Sequence, residues 1–239
     1  MNLLIYKSVD VLNIALADYV IKIANQAIEE KGSFNFVLTG GNSPKELYRL
    51  LSTEYKDKTD WNKVYFFFGD ERNVSADSND YNGGMAKKNL FDKLDTAADH
   101  IFYVDTALTP KDAAVAYKKS LDKHFNGNNI TFDLILLGMG DDGHTASIFP
   151  HTSLVKDKTV NVSSVFVEKL DAYRISFTAP LINEAENIAF LVFGEGKASA
   201  LKHVTTDQEK DANTFPAQLI DPTIGNLTWF VDEEAAALL

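Results

Sequence analysis

Short apolar runs and amphipathic stretches alternate along the whole chain. Residues 3–6 read as a strand. Leu12, Leu16, Tyr19, Val20, Ile23 and Ala27 then mark one helix face, with Gly32 as the stop. Residues 34–39 predict the next strand, followed by a Gly-Gly turn and a helix from Pro44. Ser43 is placed to cap that helix, Pro44 to occupy its first position and Glu46 to complete a capping box. Residues 64–68 read as a buried strand and 69–80 as a polar loop. Helical signals resume over 81–94, although Gly83 and Gly84 weaken the first turn. Residues 101–104 predict a short strand, and Thr109 and Pro110 open a helix to about His124. The most strand-like run is 132–137, ending in Gly138. Residues 160–167 and 173–178 are two further strands, and Pro180 begins a helical stretch. Residues 188–193 and 227–231 are the last strands.

This alternation predicts an α/β fold, with a mainly parallel, Rossmann-like sheet covered by helices on both faces in a three-layer α/β/α arrangement. No internal repeat, low-complexity segment or linker interrupts it, so residues 1–239 are expected to form one domain. Ligands of such sheets bind beyond the carboxyl ends of the strands. That rule selects the loops after Thr39, Phe68, Leu137 and Phe193.

Composition narrows the chemistry. There is no cysteine, which excludes disulfides and thiolate metal sites and fits a cytoplasmic location. The N-terminus lacks a secretory signal, and no stretch is expected to cross a bilayer. A net charge of −11 disfavours nucleic acid and anionic membranes as partners. An anionic metabolite then requires a few cations gathered in one place, and the chain has only three arginines, Arg49, Arg72 and Arg174.

The four selected loops hold the unusual residues. Gly40 and Gly41 let backbone approach a ligand, and the N–H groups of the helix that follows suit a phosphate; the same residues also make a tight strand-to-helix turn. Asp70, Glu71 and Arg72 directly follow a hydrophobic strand, where an acid–base group and an anion clamp are useful and a solvated turn is the alternative. The third loop, 138–147, contains Gly-x-Gly-x-x-Gly. Dinucleotide binding is rejected, because Asp141 and Asp142 would face the pyrophosphate with like charge and Pro150 interrupts the helix that motif needs. His144, close to Asp142 among glycines, is the candidate for chemistry. His100, His124, His151 and His203 are read as structural or surface residues. Lys197 sits at a helix start, badly placed for the dipole and well placed to reach a phosphate, or else simply exposed.

Together these segments resemble the 6-phosphogluconolactonase family. The matching stretches are 39–44, 67–74, 133–150, 174–185 and 193–198, and the string from Gly138 to Pro150 is the most specific. Glucosamine-6-phosphate deaminase/isomerase shares the fold and a related Asp-Gly-His loop. There the resemblance implies an aromatic residue in place of Arg72 and a different string after the histidine. Asp-Glu-Arg and Thr145-Ala146-Ser147 therefore favour the lactonase. Ser75, Tyr81 and Asp141 depart from the family's usual Pro, Ser and Pro.

The resemblance implies hydrolysis of a phosphorylated sugar lactone in the pentose phosphate pathway, without cofactor or metal. His144 is the implied general base, with Asp142 orienting the loop or accepting a sugar hydroxyl. Asp70 is expected to polarise water or to hold Arg72. Arg72, Lys197, Gly40, Gly41, Ser43 and Arg174 are implied in phosphate binding. The expected partner is a small phosphorylated sugar lactone, with the protein a monomer or weak homo-oligomer. Two alternatives are an amino-sugar-phosphate isomerase or deaminase and a non-catalytic sugar-phosphate sensor. The sensor should carry a DNA-binding module, which is absent here, and could dispense with His144.

Overall fold

A computed structural model describes residues 1–239. Six strands form the main sheet: β1 (Asn2–Tyr6), β2 (Phe34–Leu38), β3 (Val64–Phe68), β5 (Leu134–Gly138), β8 (Asn187–Val192) and β9 (Asn226–Asp232). Their order is β1-β9-β8-β5-β2-β3, and every pairing is parallel. Six helices accompany them: α1 (Val9–Lys31), α2 (Lys45–Ser52), α3 (Asn82–Asn89), α4 (Pro110–His124), α5 (Ala179–Asn183) and α6 (Ala198–Thr206).

Successive side chains of β5 serve opposite cores. Leu134 and Leu136 pack with α1, α2 and α3, whereas Ile135 and Leu137 pack with α4, α5 and α6. Strands apolar on both faces can be buried only in this way, between two helical layers. The expected three-layer arrangement is therefore present.

Several local expectations need correction. Ser43 does not cap α2: the cap position is Pro44, which makes no side-chain capping bond. Glu46 turns instead to Arg49, 2.7 Å away, so one turn of helix satisfies both charges. Residues 81–94 form one short helix, α3, which stops at Leu90 before a 3-10 turn. Residues 101–104 make only an isolated bridge to Phe66. α1 is long and apolar enough to cross a membrane by length and composition, contrary to expectation. Here Leu12, Leu16, Ala17, Val20 and Ala24 are fully buried against the sheet, as in a core helix.

The largest correction is a second sheet. β4 (Asp70–Arg72), β7 (Ala172–Phe177) and β6 (Val162–Val167) form a three-stranded antiparallel sheet that packs on α4. β4 lies within the stretch read as a loop. It is three charged residues long, so it carries no apolar period, and its pairing to β7 decides its conformation.

Candidate active site

The loops after β2, β3, β5 and β8 converge on a cleft of about 660 Å³. Its centre is the glycine loop after β5. Gly140 N–H donates to His144 O at 2.8 Å, and Gly143, at φ 73°, donates to Gly140 O at 3.2 Å. Thr145 Oγ1 donates to Gly138 O at 2.8 Å, and Ala217 N–H donates to Gly143 O at 2.9 Å. The loop is thus closed on itself and anchored from outside. A Cβ on Gly140 would run into the His144 ring, so glycine there makes room for the imidazole.

The ring is fixed on two sides. Phe149 stacks on it with centroids 4.0 Å apart. Asp142 Oδ1 lies 2.5 Å from His144 Nδ1 and also accepts the His144 backbone N–H at 3.2 Å. Burial raises the Asp142 pKa, but hydrogen bonds from His144 and Lys169 outweigh it and hold the carboxyl well below the usual range. An ionised Asp142 assigns the proton to Nδ1 and leaves Nε2 as the acceptor. Asp142 itself stands behind His144 rather than on the cleft wall.

β4 supplies the facing wall. Alternation along the strand puts Glu71 inside, fully buried, and turns Asp70 and Arg72 to the cleft. The Glu71 carboxylate accepts backbone N–H bonds from Arg72 at 2.8 Å, Asn82 at 2.8 Å and Gly83 at 2.9 Å, which ties β4 to the start of α3. Burial pushes its pKa up to about 7 against the pull of these donors. Asp70 Oδ2 accepts from Ser147 Oγ at 2.6 Å. Asn82 donates to Asp70 O at 3.1 Å and accepts Gly41 N–H at 3.3 Å. A Cβ on Gly40 would collide with the Asn82 side chain.

Besides Lys169, which pairs with Asp142, three cations line the cleft. Arg72 and Arg174 are direct cross-strand partners between β4 and β7. Each has a backbone carbonyl as acceptor: Asp80 O at 2.8 Å for Arg72 and Tyr173 O at 3.2 Å for Arg174. Lys197 stands at the start of α6, in a turn whose Gly194 N–H is held by the Asp232 carboxylate at 3.0 Å. None of the three forms a salt bridge, although the chain as a whole is strongly acidic. Burial, then the neighbouring Arg72, lowers the Arg174 pKa. Like charges held side by side in this way favour an incoming anion.

Gly40, Gly41, Ser43, Asp70, Arg72, His144, Arg174 and Lys197 therefore share one cleft, as the strand-end rule implied. The other histidines lie elsewhere. His124 packs among Phe67, Phe102 and Phe125 and contacts Asn35, and burial lowers its pKa. His100 lies against Tyr65, His151 contacts Asn213 and His203 contacts Asp207. Sequence reasoning missed Asn82, Ser147, Phe149 and Lys169. Ser147 and Phe149 lie in the singled-out string, but their partners, Asp70 and the His144 ring, are set by tertiary folding. Lys169 carried no signal at all.

Residues 7–229 match the family described as glucosamine-6-phosphate isomerases/6-phosphogluconolactonase. A 6-phosphogluconolactonase of Synechocystis is 40% identical over 216 residues, covering 88% of this chain and 86% of that protein. The solved 6-phosphogluconolactonase of Trypanosoma brucei is 27% identical, with a TM-score of 0.85, covering 100% of this chain and 98% of that one. A monomeric glucosamine-6-phosphate deaminase shares the fold at 20% identity and a TM-score of 0.82, covering 100% of each chain.

Proposed function

The chain belongs to the glucosamine-6-phosphate isomerase/6-phosphogluconolactonase family, and from that premise we propose that it hydrolyses 6-phospho-D-glucono-1,5-lactone to 6-phospho-D-gluconate, the second step of the oxidative pentose phosphate pathway. One observation carries this reading. A histidine with a fixed tautomer shares a cleft with three cations that form no salt bridge.

A δ-lactone is an activated ester, so the task is to deliver a deprotonated water to its carbonyl carbon. His144 Nε2 takes a proton from water, and the hydroxide adds to C1. Asp142 stabilises the imidazolium through Nδ1–H, as a buried carboxylate does for a catalytic histidine. Collapse of the tetrahedral adduct breaks the bond from C1 to the ring oxygen. That oxygen receives the proton from His144, and the acid product loses its own proton to solvent. Arg72, Arg174 and Lys197 hold the phosphate, with Ser43 and the Gly40–Gly41 backbone beside them. Asp70, restrained by Ser147, polarises the water or positions Arg72.

The mechanism uses no metal. The chain has no cysteine, and no three His, Asp or Glu side chains converge. EDTA is expected to leave the rate unchanged. A loss restored by a divalent ion would refute that part of the reading.

The test is pH-stat hydrolysis of 6-phosphogluconolactone, corrected for spontaneous opening, beside the unphosphorylated lactone. The phosphorylated substrate is expected to have much the larger kcat/KM. Equal values would sink the assignment, and ammonia release from glucosamine 6-phosphate would redirect it to the deaminase branch.

A further inference from the structure

One cation on the cleft wall is not used by this reading. Lys169 lies in the 3-10 turn Glu168–Leu170 between β6 and β7, closed by Asp171 at φ 46°. Its Nζ is 3.1 Å from Asp142 Oδ2, the oxygen that His144 leaves free. Asp142 is thus held from both ends, by the base on Oδ1 and by Lys169 on Oδ2. The contact joins the small sheet's hairpin to the glycine loop, two elements that meet only through tertiary folding. As a stabilising pair it is weak, because the Lys169 side chain is 65% exposed. As an electrostatic one it acts on the group that must hold the imidazolium. A cation on the far oxygen draws the carboxylate's charge away from the ring and disfavours protonation there.

We propose that Lys169 is a positioning residue that sets how readily His144 accepts a proton, by sharing Asp142 with it. The consequence for rate rests on the reading of His144 as general base. The effect on the imidazole does not. Other charged groups face the same cleft: Asp141 on the same loop, Asp70 and Arg72 on β4, Asp80 before α3, Arg174 on β7 and Lys197 before α6. None of these bonds to Asp142 Oδ2, so replacing Lys169 isolates its influence.

The experiment pairs two titrations of the full-length enzyme. The His144 ring is followed by NMR without substrate, its signal identified among five histidines by its loss in His144→Asn. The pH–rate profile is then measured with 6-phosphogluconolactone. In Lys169→Met, both the NMR midpoint and the acidic limb are expected to move up together by about half a pH unit. Lys169→Arg is expected to return both towards wild type. KM is expected to stay within about twofold, since the phosphate is held elsewhere. A midpoint that does not move in Lys169→Met overturns the proposal, whatever the rates do. A midpoint that moves while the acidic limb stays put leaves Lys169's hold on the imidazole intact and overturns His144 as the base.

Discussion

The two ends of the main sheet carry two cavities, and the larger is the less informative. At the amino ends of the strands lies a cavity of about 990 Å³, bordered by α1 and the starts of β1, β5, β8 and β9. Lys31 bonds there to both Asp133 and Glu186. Asp133 is buried and also accepts the Asn35 N–H at 2.6 Å. At the carboxyl ends the cleft is smaller, about 660 Å³, and Arg72, Arg174 and Lys197 have no carboxylate partner. Volume measures only where side chains fail to meet. Several cations gathered without ion pairs in an acidic protein mark where an anion can be held. The first end is therefore expected to matter for stability and the second for turnover.

Substitutions can break that division. The largest effect is expected from His144→Asn, with kcat reduced by about 10²-fold or more and binding little changed. Near-normal turnover in a folded variant would move the base to Asp70 or Asp142. Next come Arg72→Ala and Lys197→Ala. Each is expected to lose about 2 kcal/mol of transition-state binding if its bond to phosphate is desolvated, read as kcat/KM for the phosphorylated lactone. The unphosphorylated lactone should not register either change.

At the opposite end the expectation reverses. Asp133→Ala leaves the Asn35 N–H without its acceptor and Lys31 with Glu186 alone, and is expected to cost about 1–3 kcal/mol in urea unfolding. Its kcat/KM should match wild type. A kinetic defect without loss of stability would show that the larger cavity takes part in turnover.

The smallest effect concerns pH. The Glu71 pKa is raised to about 7 in the folded state by burial. A raised carboxyl binds its proton more tightly folded than unfolded, so its contribution to stability is complete below the unfolded pKa, about 4.3. That contribution is lost as pH rises through about 7. Unfolding midpoints from pH 5 to 8 should therefore fall more steeply in wild type than in Glu71→Gln. Equal slopes would place the Glu71 pKa back in the ordinary carboxylate range.

The same contrast explains what could be read from sequence. The main sheet was legible because its strands are apolar on both faces, and 64–68 matches β3 residue for residue. The α4 limits were legible because Thr109 accepts the Asp112 N–H and Pro110 takes the first turn. The small sheet was not. β4 is a strand only because β7 pairs with it, and no local period announces three charged residues as β. The cleft followed from strand ends and glycines, and the residues assigned to it line it except Asp142, which stands behind His144. Asn82 and Lys169 were missed because their importance lies in a partner distant in sequence, Gly41 and Asp142 respectively. Ser43 failed as a cap because Pro44, not Ser43, precedes the first helical residue.

The pairing of β1 with β9 bears on how the protein is made. β1 precedes every other strand of the sheet and has its only sheet partner in β9, the last of them, with Asn2 opposite Thr228 and Tyr6 opposite Asp232. On a translating ribosome β1 must therefore wait, unpaired, while the rest of the sheet is laid down. Closing so long a loop is slow, because its entropy is lost before its contacts form. Asp232, at the end of β9, also holds the turn that presents Lys197. The nascent chain thus completes its anion site only when the strand that seals its fold arrives, and recovery of activity after dilution from denaturant should report that closure.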